Sequence, residues 1–267
     1  MLDYLKVCEQ AVRTGGAVLM DKIGRVEVRE KGRSDLVTEA DFASQELVRR
    51  TILAAFPDHV VVGEEDPQNG GSGHQPSGDP AEYRWIVDPL DGTTNYVHQV
   101  PHFCVSLALE RRGQLQVSAV YNPVADECFS AVAGEGARLN GKPIRTSNVA
   151  DISQALAAVG FAAVVDPDAP DLKLFLAAIP HCQAMRRTGS AALNLCYLAA
   201  GRFDLSWAYS TKSWDVAAGV LMIREAGGIV TAPCGGPLMP DDGHYLAAAN
   251  AQLHAQLRAI MTRAGLE

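Results

Sequence analysis

Apolar side chains recur at roughly helical spacing over residues 3–23, at Leu5, Cys8, Val12, Leu19 and Ile23, and Gly24 ends the run. Gly32 to Asp35 reads as a turn. A second helical pattern follows Thr38 through Phe42, Leu47, Val48, Ile52 and Leu53, and Pro57 stops it. Val60-Val61-Val62 predicts a short buried strand opening into Gly63-Glu64-Glu65, and Trp85-Ile86-Val87 predicts another that ends at Asp88. Residues 66–82 are rich in Gly, Pro, Ser and Asp and read as an inserted surface loop. Val105 to Glu110, Leu115 to Tyr121 and Glu127 to Val132 predict an antiparallel meander turning at Arg112-Gly113 and Asn122-Pro123. Turns at Gly134-Glu135-Gly136 and Asn140-Gly141 follow. The second half predicts a strand over Ala155 to Gly160, a helix over Leu172 to Ile179, and a helix over Ala191 to Ala200 closed by Gly201. A helix over Asp215 to Ala226 is closed by Gly227-Gly228 and leads into a strand at Ile229 to Thr231. Leu246 to Ala249 is the last strand and residues 251–264 the last helix. Helices and strands mix in both halves, which predicts layered α/β packing.

Composition narrows the class. The chain has 267 residues, 48% hydrophobic and 20% charged, enough to bury a full core. A net charge of -8 argues against nucleic acid and anionic membrane as partners, and it would repel a phosphorylated substrate unless a local cation reversed the field. The six cysteines show no CxxC or CxxH spacing and lie mostly in apolar runs, which predicts reduced thiols in a cytoplasmic protein. No apolar run approaches the ~20 residues of a membrane span. Asp3, Lys6 and Glu9 leave no apolar leader pattern in the first ten residues.

The densest chemistry lies in Asp88-Pro89-Leu90-Asp91-Gly92-Thr93-Thr94-Asn95. Two aspartates flank a Pro-Leu pair just after a buried strand, so a tight turn can aim both carboxylates and the Leu90 carbonyl at one point. An all-oxygen set of this kind suits a hard cation such as Mg²⁺. The amides of Gly92 and Thr93, at a helix start, can face an anion. An Asx-turn with a helix cap is the plainer alternative. Gly63-Glu64-Glu65-Asp66 leaves a strand with three acids in a row, which repel one another unless solvated or bound to a cation. Asp41, within Asp35 to Asp41, and Asp215, within Trp214-Asp215-Val216-Ala217-Ala218-Gly219, each open a helix and can serve as caps. There is no Walker motif and no HExxH zinc pattern.

Taken together and in this order, DLVTEAD (35–41), GEED (63–66), DPLDGTTN (88–95) and WDVAAG (214–219) resemble the signature set of the inositol monophosphatase family, lithium-sensitive Mg²⁺-dependent phosphatases. The resemblance extends through Tyr121-Asn122-Pro123, the turns at 134–141, Thr188-Gly189-Ser190-Ala191-Ala192 and Glu225-Ala226-Gly227-Gly228. It implies a single phosphatase domain over 1–267, with halves near 1–145 and 146–267, folded as a layered αβαβα sandwich of mixed and antiparallel sheets. It implies Glu64, Asp88, the Leu90 carbonyl, Asp91 and Asp215 as metal ligands for two to three Mg²⁺ ions per subunit. It implies Thr93, paired with Asp41, as the residue that orients or deprotonates the attacking water, with Glu64 also catalytic. Asp91 and the amides of Gly92 and Thr93 would meet phosphate, and Gly189, Ser190 and Ala191 the alcohol portion. Glu65 and Lys31 would stand near the metals. A homodimer, lithium inhibition and a small phosphorylated metabolite as partner are implied with them.

One position departs from the pattern. In inositol-selective members a Glu lies seven residues before the WD aspartate, and here that position is Ala208. Alanine cannot accept hydrogen bonds from inositol hydroxyls, so the selectivity is expected to differ. Trp207, Tyr209 and Lys212 are expected either to shape an altered pocket around Ala208 or simply to pack and carry surface charge. Inositol monophosphate is the nominal substrate. The same chemistry on 3′-phosphoadenosine 5′-phosphate, fructose 1,6-bisphosphate or histidinol phosphate stays open, as does a non-catalytic binding protein on the same fold.

Overall fold

The computed structural model describes residues 2–66 and 81–266. Nearly all of the surface loop expected at 66–82 falls outside the described residues.

The meander becomes a seven-stranded sheet whose strands lie in sequence order. They are β3 (Val60–Gly63), β4 (Tyr83–Asp91), β5 (Cys104–Arg111), β6 (Gln114–Asn122), β7 (Glu127–Val132), β8 (Gly136–Leu139) and β9 (Lys142–Pro143). Only β3 and β4 run parallel. Alternation along β4 and β5 sends Trp85, Val87, Leu107 and Leu109 to one face and Ile86 and Ala108 to the other. Helices α1 (Leu2–Lys22) and α2 (Glu39–Ala55) cover the first face with Cys8, Val12, Leu19, Val48 and Ile52. Helices α5 (Ala191–Ala199) and α6 (Ser213–Glu225) cover the second.

Those two helices are sandwiched. Their far side meets a five-stranded sheet in the order β11 (Ala184–Arg186), β10 (Leu156–Val159), β12 (Leu205–Ala208), β14 (Tyr245–Ala248), β13 (Ile229–Thr231). Here β10 runs parallel to β11 and β12, while β14 is antiparallel to both of its neighbours. Ala158, Ala208, Tyr245 and Ala247 face α5 and α6; Ala157, Val159, Trp207 and Leu246 face α4 (Pro170–Ala178) and α7 (Ala251–Arg263). The result is the αβαβα sandwich. No described helix is long and apolar enough to cross a membrane.

Several elements differ from the sequence reading. The turn at Gly32 to Asp35 joins a hairpin of β1 (Val28–Gly32), exposed along its length, and β2 (Asp35–Thr38), which buries only Val37 and Thr38, so neither strand carries a periodic signal. Strand β4 does not stop at Asp88. It continues to Asp91, and its register against β5 slips because Asp88 pairs with Ser106 while Asp91 pairs with Cys104. Pro89 and Leu90 thus oppose Val105 alone, which is a β-bulge, a place where proline is tolerated in a sheet. Strands β8, β11 and β12 had no counterpart in the pattern.

Candidate active site

The bulge sets the geometry. Asp88 Oδ1 accepts the Leu90 N–H at 3.0 Å, and Ser44 on α2 donates to the Pro89 carbonyl at 2.9 Å, so the turn of chain between the two aspartates is pinned from both sides. Gly92 then adopts φ +92, and a Cβ there would lie 3.1 Å from the His102 carbonyl. Glycine is what permits both the left-handed backbone and the close approach. The short helix α3 (Thr93–Val97) starts immediately after it.

Asp91 reaches across to the second half of the chain. Its carboxylate accepts the Ser190 hydroxyl, the Ala191 N–H at 3.2 Å and the Ala192 N–H at 2.8 Å, all at the N-terminus of α5. Asn95 adds a second tie: its Nδ2 donates to the carbonyls of His102 at 2.7 Å and Thr188 at 2.9 Å. The two motifs DPLDGTTN and TGSAA are therefore one construction held together by polar side chains.

Asp41 serves two neighbours. Oδ2 accepts the Thr38 N–H at 2.9 Å and the Thr38 hydroxyl at 2.7 Å, completing the capping box of α2. Oδ1 lies 3.5 Å from the Thr93 hydroxyl, which itself donates to the Leu90 carbonyl at 3.0 Å. Capping and a contact with Thr93 are thus both present. Burial pushes the Asp41 carboxyl up to about 6, against the hydrogen bonds from Thr38.

The remaining acids lie close enough to raise one another. Burial, then the charges of Glu64, Asp91 and Asp215, holds Asp88 well above the ordinary carboxylate range. Asp215 is raised by burial and by Glu64 and Asp91, although its Oδ2 accepts the Lys212 N–H at 2.7 Å. Asp91 is raised by burial despite its donors. Lys31 on the β1–β2 hairpin pairs with Glu64 at 3.0 Å and with Glu65, whose carboxyl burial pushes up to about 7. The acidic segment after β3 is braced by Arg49 and Gln45, both bonded to Asp66.

Among the described residues, no three His, Cys, Asp or Glu side chains form a group that could hold a metal ion. The physical reason is visible in the bonds: Asp91 turns to α5, Asp215 to the Lys212 amide, Glu64 to Lys31, and the Leu90 carbonyl to Thr93. The donor chemistry nonetheless fits a hard cation. It is oxygen only, and neighbouring acids raise Asp88 and Asp215, an excess of negative charge that an ion of opposite sign would relieve.

A cleft of about 460 Å³ brings Asp91, Gly189, Ser190, Ala191, Ala208 and Asp215 to a common wall. Asp41, Glu64, Asp88, Leu90, Gly92 and Thr93 are not among its lining residues. Trp207 and Tyr209 do not shape the pocket. Alternation along β12 sends Trp207 to the opposite face, where its indole N–H meets the Asp171 carbonyl at 3.4 Å, and Tyr209 packs with His244 and α7. Lys212 lines a separate cleft with Arg84 and Asp241. Three residues the sequence did not single out belong to the site: Ser44 and Asn95, whose partners are remote in the chain, and Arg187, which lines the cleft one residue before the quoted TGSAA motif.

The whole construction matches known proteins. The model of the inositol monophosphatase family matches residues 2–265. The Nus factor SuhB of Pseudomonas aeruginosa is 37% identical over 266 residues, covering 97% of this chain and 96% of that protein. Among solved structures, the extragenic suppressor protein suhB of Bartonella henselae superposes with a TM-score of 0.88 at 32% identity over 98% of this chain and 99% of that one. An inositol monophosphatase from Anabaena gives 0.84 at 37% identity over 98% and 96%. The chain belongs to the inositol monophosphatase family.

Proposed function

We propose that this protein is a Mg²⁺-dependent phosphomonoesterase that hydrolyses a small soluble phosphate ester with water as nucleophile. The observation that carries the reading is the convergence of charge around buried Asp88 and half-buried Asp215, each raised by Glu64 and Asp91, beside the Thr93–Asp41 contact. Glu64, Asp88, Asp91, Asp215 and the Leu90 carbonyl would hold the metal. A magnesium ion held there would acidify water and offset the charge on the phosphoryl oxygens. Thr93 orients the attacking water, and once its hydroxyl turns from the Leu90 carbonyl to Asp41 it passes its own proton to Asp41 and takes one from the water. The amides of Gly92 and Thr93 hold phosphate oxygens, while Gly189, Ser190, Ala191 and Ala208 form the wall against which the alcohol rests. Ester and water give alcohol and inorganic phosphate, and no side chain becomes phosphorylated.

On the same reading the halves 1–145 and 146–267 form one domain, the protein is a cytoplasmic homodimer, and lithium inhibits by displacing one of two to three ions per subunit. Calorimetric titration of Mg²⁺ into the wild-type protein and into Asp88→Asn tests the site. Heat of binding lost in the variant supports it; equal binding by both sinks it.

A second reading is favoured by the relatives' name. Three curated proteins called Nus factor SuhB are 37% or more identical over more than nine-tenths of this chain. If a folded, phosphatase-dead Asp88→Asn variant restores growth of a strain lacking this protein, a role as a Nus factor is supported. If it fails where the wild type succeeds, hydrolysis is the required activity.

A further inference from the structure

The charges around the cleft are unevenly spread. Of the described residues that line it, Asp91 and Asp215 are the acids and Arg187 is the sole cation. Asp91 is spent on α5 and Asp215 on the Lys212 amide, but Arg187 forms no ion pair with a described carboxylate. Its charge reaches Asp171, whose Oδ1 is committed to the Leu172 N–H at 2.8 Å. The guanidinium instead lies over the ring of Phe161 at 5.4 Å, and Phe161 is braced edge-on by Phe175 at 5.6 Å. A guanidinium stacked in this way keeps its in-plane N–H donors available and loses little freedom when they bind an anion.

The rest of the described lining offers a substrate no other cation. Ala208 is neutral and buried, and Gly160 packs so closely that an added Cβ would come within 3.0 Å of the Ala208 Cβ. Arg187 is three residues from Ser190, at most about 11 Å along the chain. Both residues line the cleft of about 460 Å³ together with Asp91, so a small metabolite lying in it can meet Arg187 as well as the wall that Asp91 and Ser190 share.

We propose that Arg187 determines specificity by binding a second anionic group on the substrate, so that the cleft selects phosphate monoesters bearing another phosphate or a carboxylate over neutral polyol phosphates. This rests on the hydrolase reading above and adds the substrate class. Arg187 has no part in the bond-breaking step. It holds the far end of the molecule while the phosphate to be released sits among the carboxylates.

The test compares kcat/KM with Mg²⁺ for fructose 1,6-bisphosphate, 2-phosphoglycerate, inositol 1-phosphate and glycerol 2-phosphate, in the wild type, Arg187→Gln and Arg187→Lys. Losing a charge-assisted pair at one end predicts a fall of about tenfold for substrates with a second anion, taken mainly in KM, and less than about twofold for the two neutral alcohols. Arg187→Lys should recover part of the loss. The bisphosphate and phosphoglycerate arms tell a phosphate-reading site from a carboxylate-reading one. An equal fall on all four substrates would mean that Arg187 touches the reacting phosphate, and no change on any would mean that it is a surface residue; either result overturns the proposal. If no ester is hydrolysed at all, the hydrolase reading fails by itself. Calorimetric binding of fructose 1,6-bisphosphate against fructose 6-phosphate, to wild type and Arg187→Gln, still decides the Arg187 assignment. A preference for the bisphosphate that disappears in the variant supports it, and an unchanged preference overturns it.

Discussion

The Ser190 hydroxyl donates to the carboxylate of Asp91, joining residues ninety-nine positions apart and linking the bulged end of β4 to the first turn of α5. The same hydroxyl accepts the Leu193 N–H at 3.1 Å and so caps that helix. A single side chain therefore stabilises α5 and positions a carboxylate of the candidate metal site.

Ser190→Ala removes both bonds. It leaves a buried carboxylate short of a donor and α5 without its cap, at a cost of about 1–3 kcal/mol. Urea unfolding should show the loss, and turnover should fall about tenfold with a higher Mg²⁺ requirement, as expected for a misplaced ligand. Unchanged stability would contradict the role given to Ser190.

Asn95→Ala should act on stability first. Its amide is the donor to two carbonyls, those of His102 and Thr188, and their loss predicts about 1–3 kcal/mol. Because these bonds hold the TGSAA segment against the bulge, KM should rise as well. The comparison of urea midpoint and KM in one variant checks both consequences.

The raised carboxyls give a pH dependence with a definite sign. Asp41 is lifted from 3.8 to about 6 and Glu65 from 4.5 to about 7, so the folded state holds their protons more tightly than the unfolded chain does. Their contribution to stability is complete below about pH 4 and is lost as pH rises toward 7. Asp88 and Asp215 shift in the same direction. In EDTA the melting temperature should therefore decline across that window. With Mg²⁺ in excess the decline should vanish, since an ion that binds only the folded state stabilises it by mass action. A melting temperature that rises with pH in EDTA would be the wrong sign.

Much of this was legible in the sequence, and the exceptions have physical causes. The long strands β5 and β6 and the helices α1, α2, α5 and α6 announce themselves because many residues repeat one period. Strands β11 and β12 have three and four residues, too few for a period of two to stand out. The same shortness hid the fact that Trp207 and Ala208 face opposite layers. The sequence brought Asp41, Glu64, Asp88, Asp91, Thr93 and Asp215 forward as one set; of these, Asp91 and Asp215 line the cleft and Thr93 touches Asp41. It did not reveal that Asp91 would spend its oxygens on α5 amides or that Lys31 would cover Glu64, because both depend on which remote donors the fold brings near. Arg187 carries no signal of its own in the sequence, because Phe161 lies 26 residues away and only the fold brings the two together beside the cleft.

Ala208→Glu tests the departure from the inositol-selective pattern. Ala208 lines the cleft, so a carboxylate there can accept hydroxyl hydrogen bonds from a polyol. We expect kcat/KM for inositol 1-phosphate to rise about tenfold relative to glycerol 2-phosphate. If the ratio stays put in folded protein, Ala208 does not govern the choice of alcohol.

The most direct measurement is release of inorganic phosphate from inositol 1-phosphate, fructose 1,6-bisphosphate, 3′-phosphoadenosine 5′-phosphate, histidinol phosphate and glycerol 2-phosphate, with Mg²⁺ and with EDTA, for wild type and Asp88→Asn. The account predicts release from at least one ester that requires Mg²⁺, stops in EDTA and falls by more than about a thousandfold in the variant. Release that persists in EDTA, an Asp88→Asn variant as active as the wild type, or folded wild-type protein inert on every ester would contradict it.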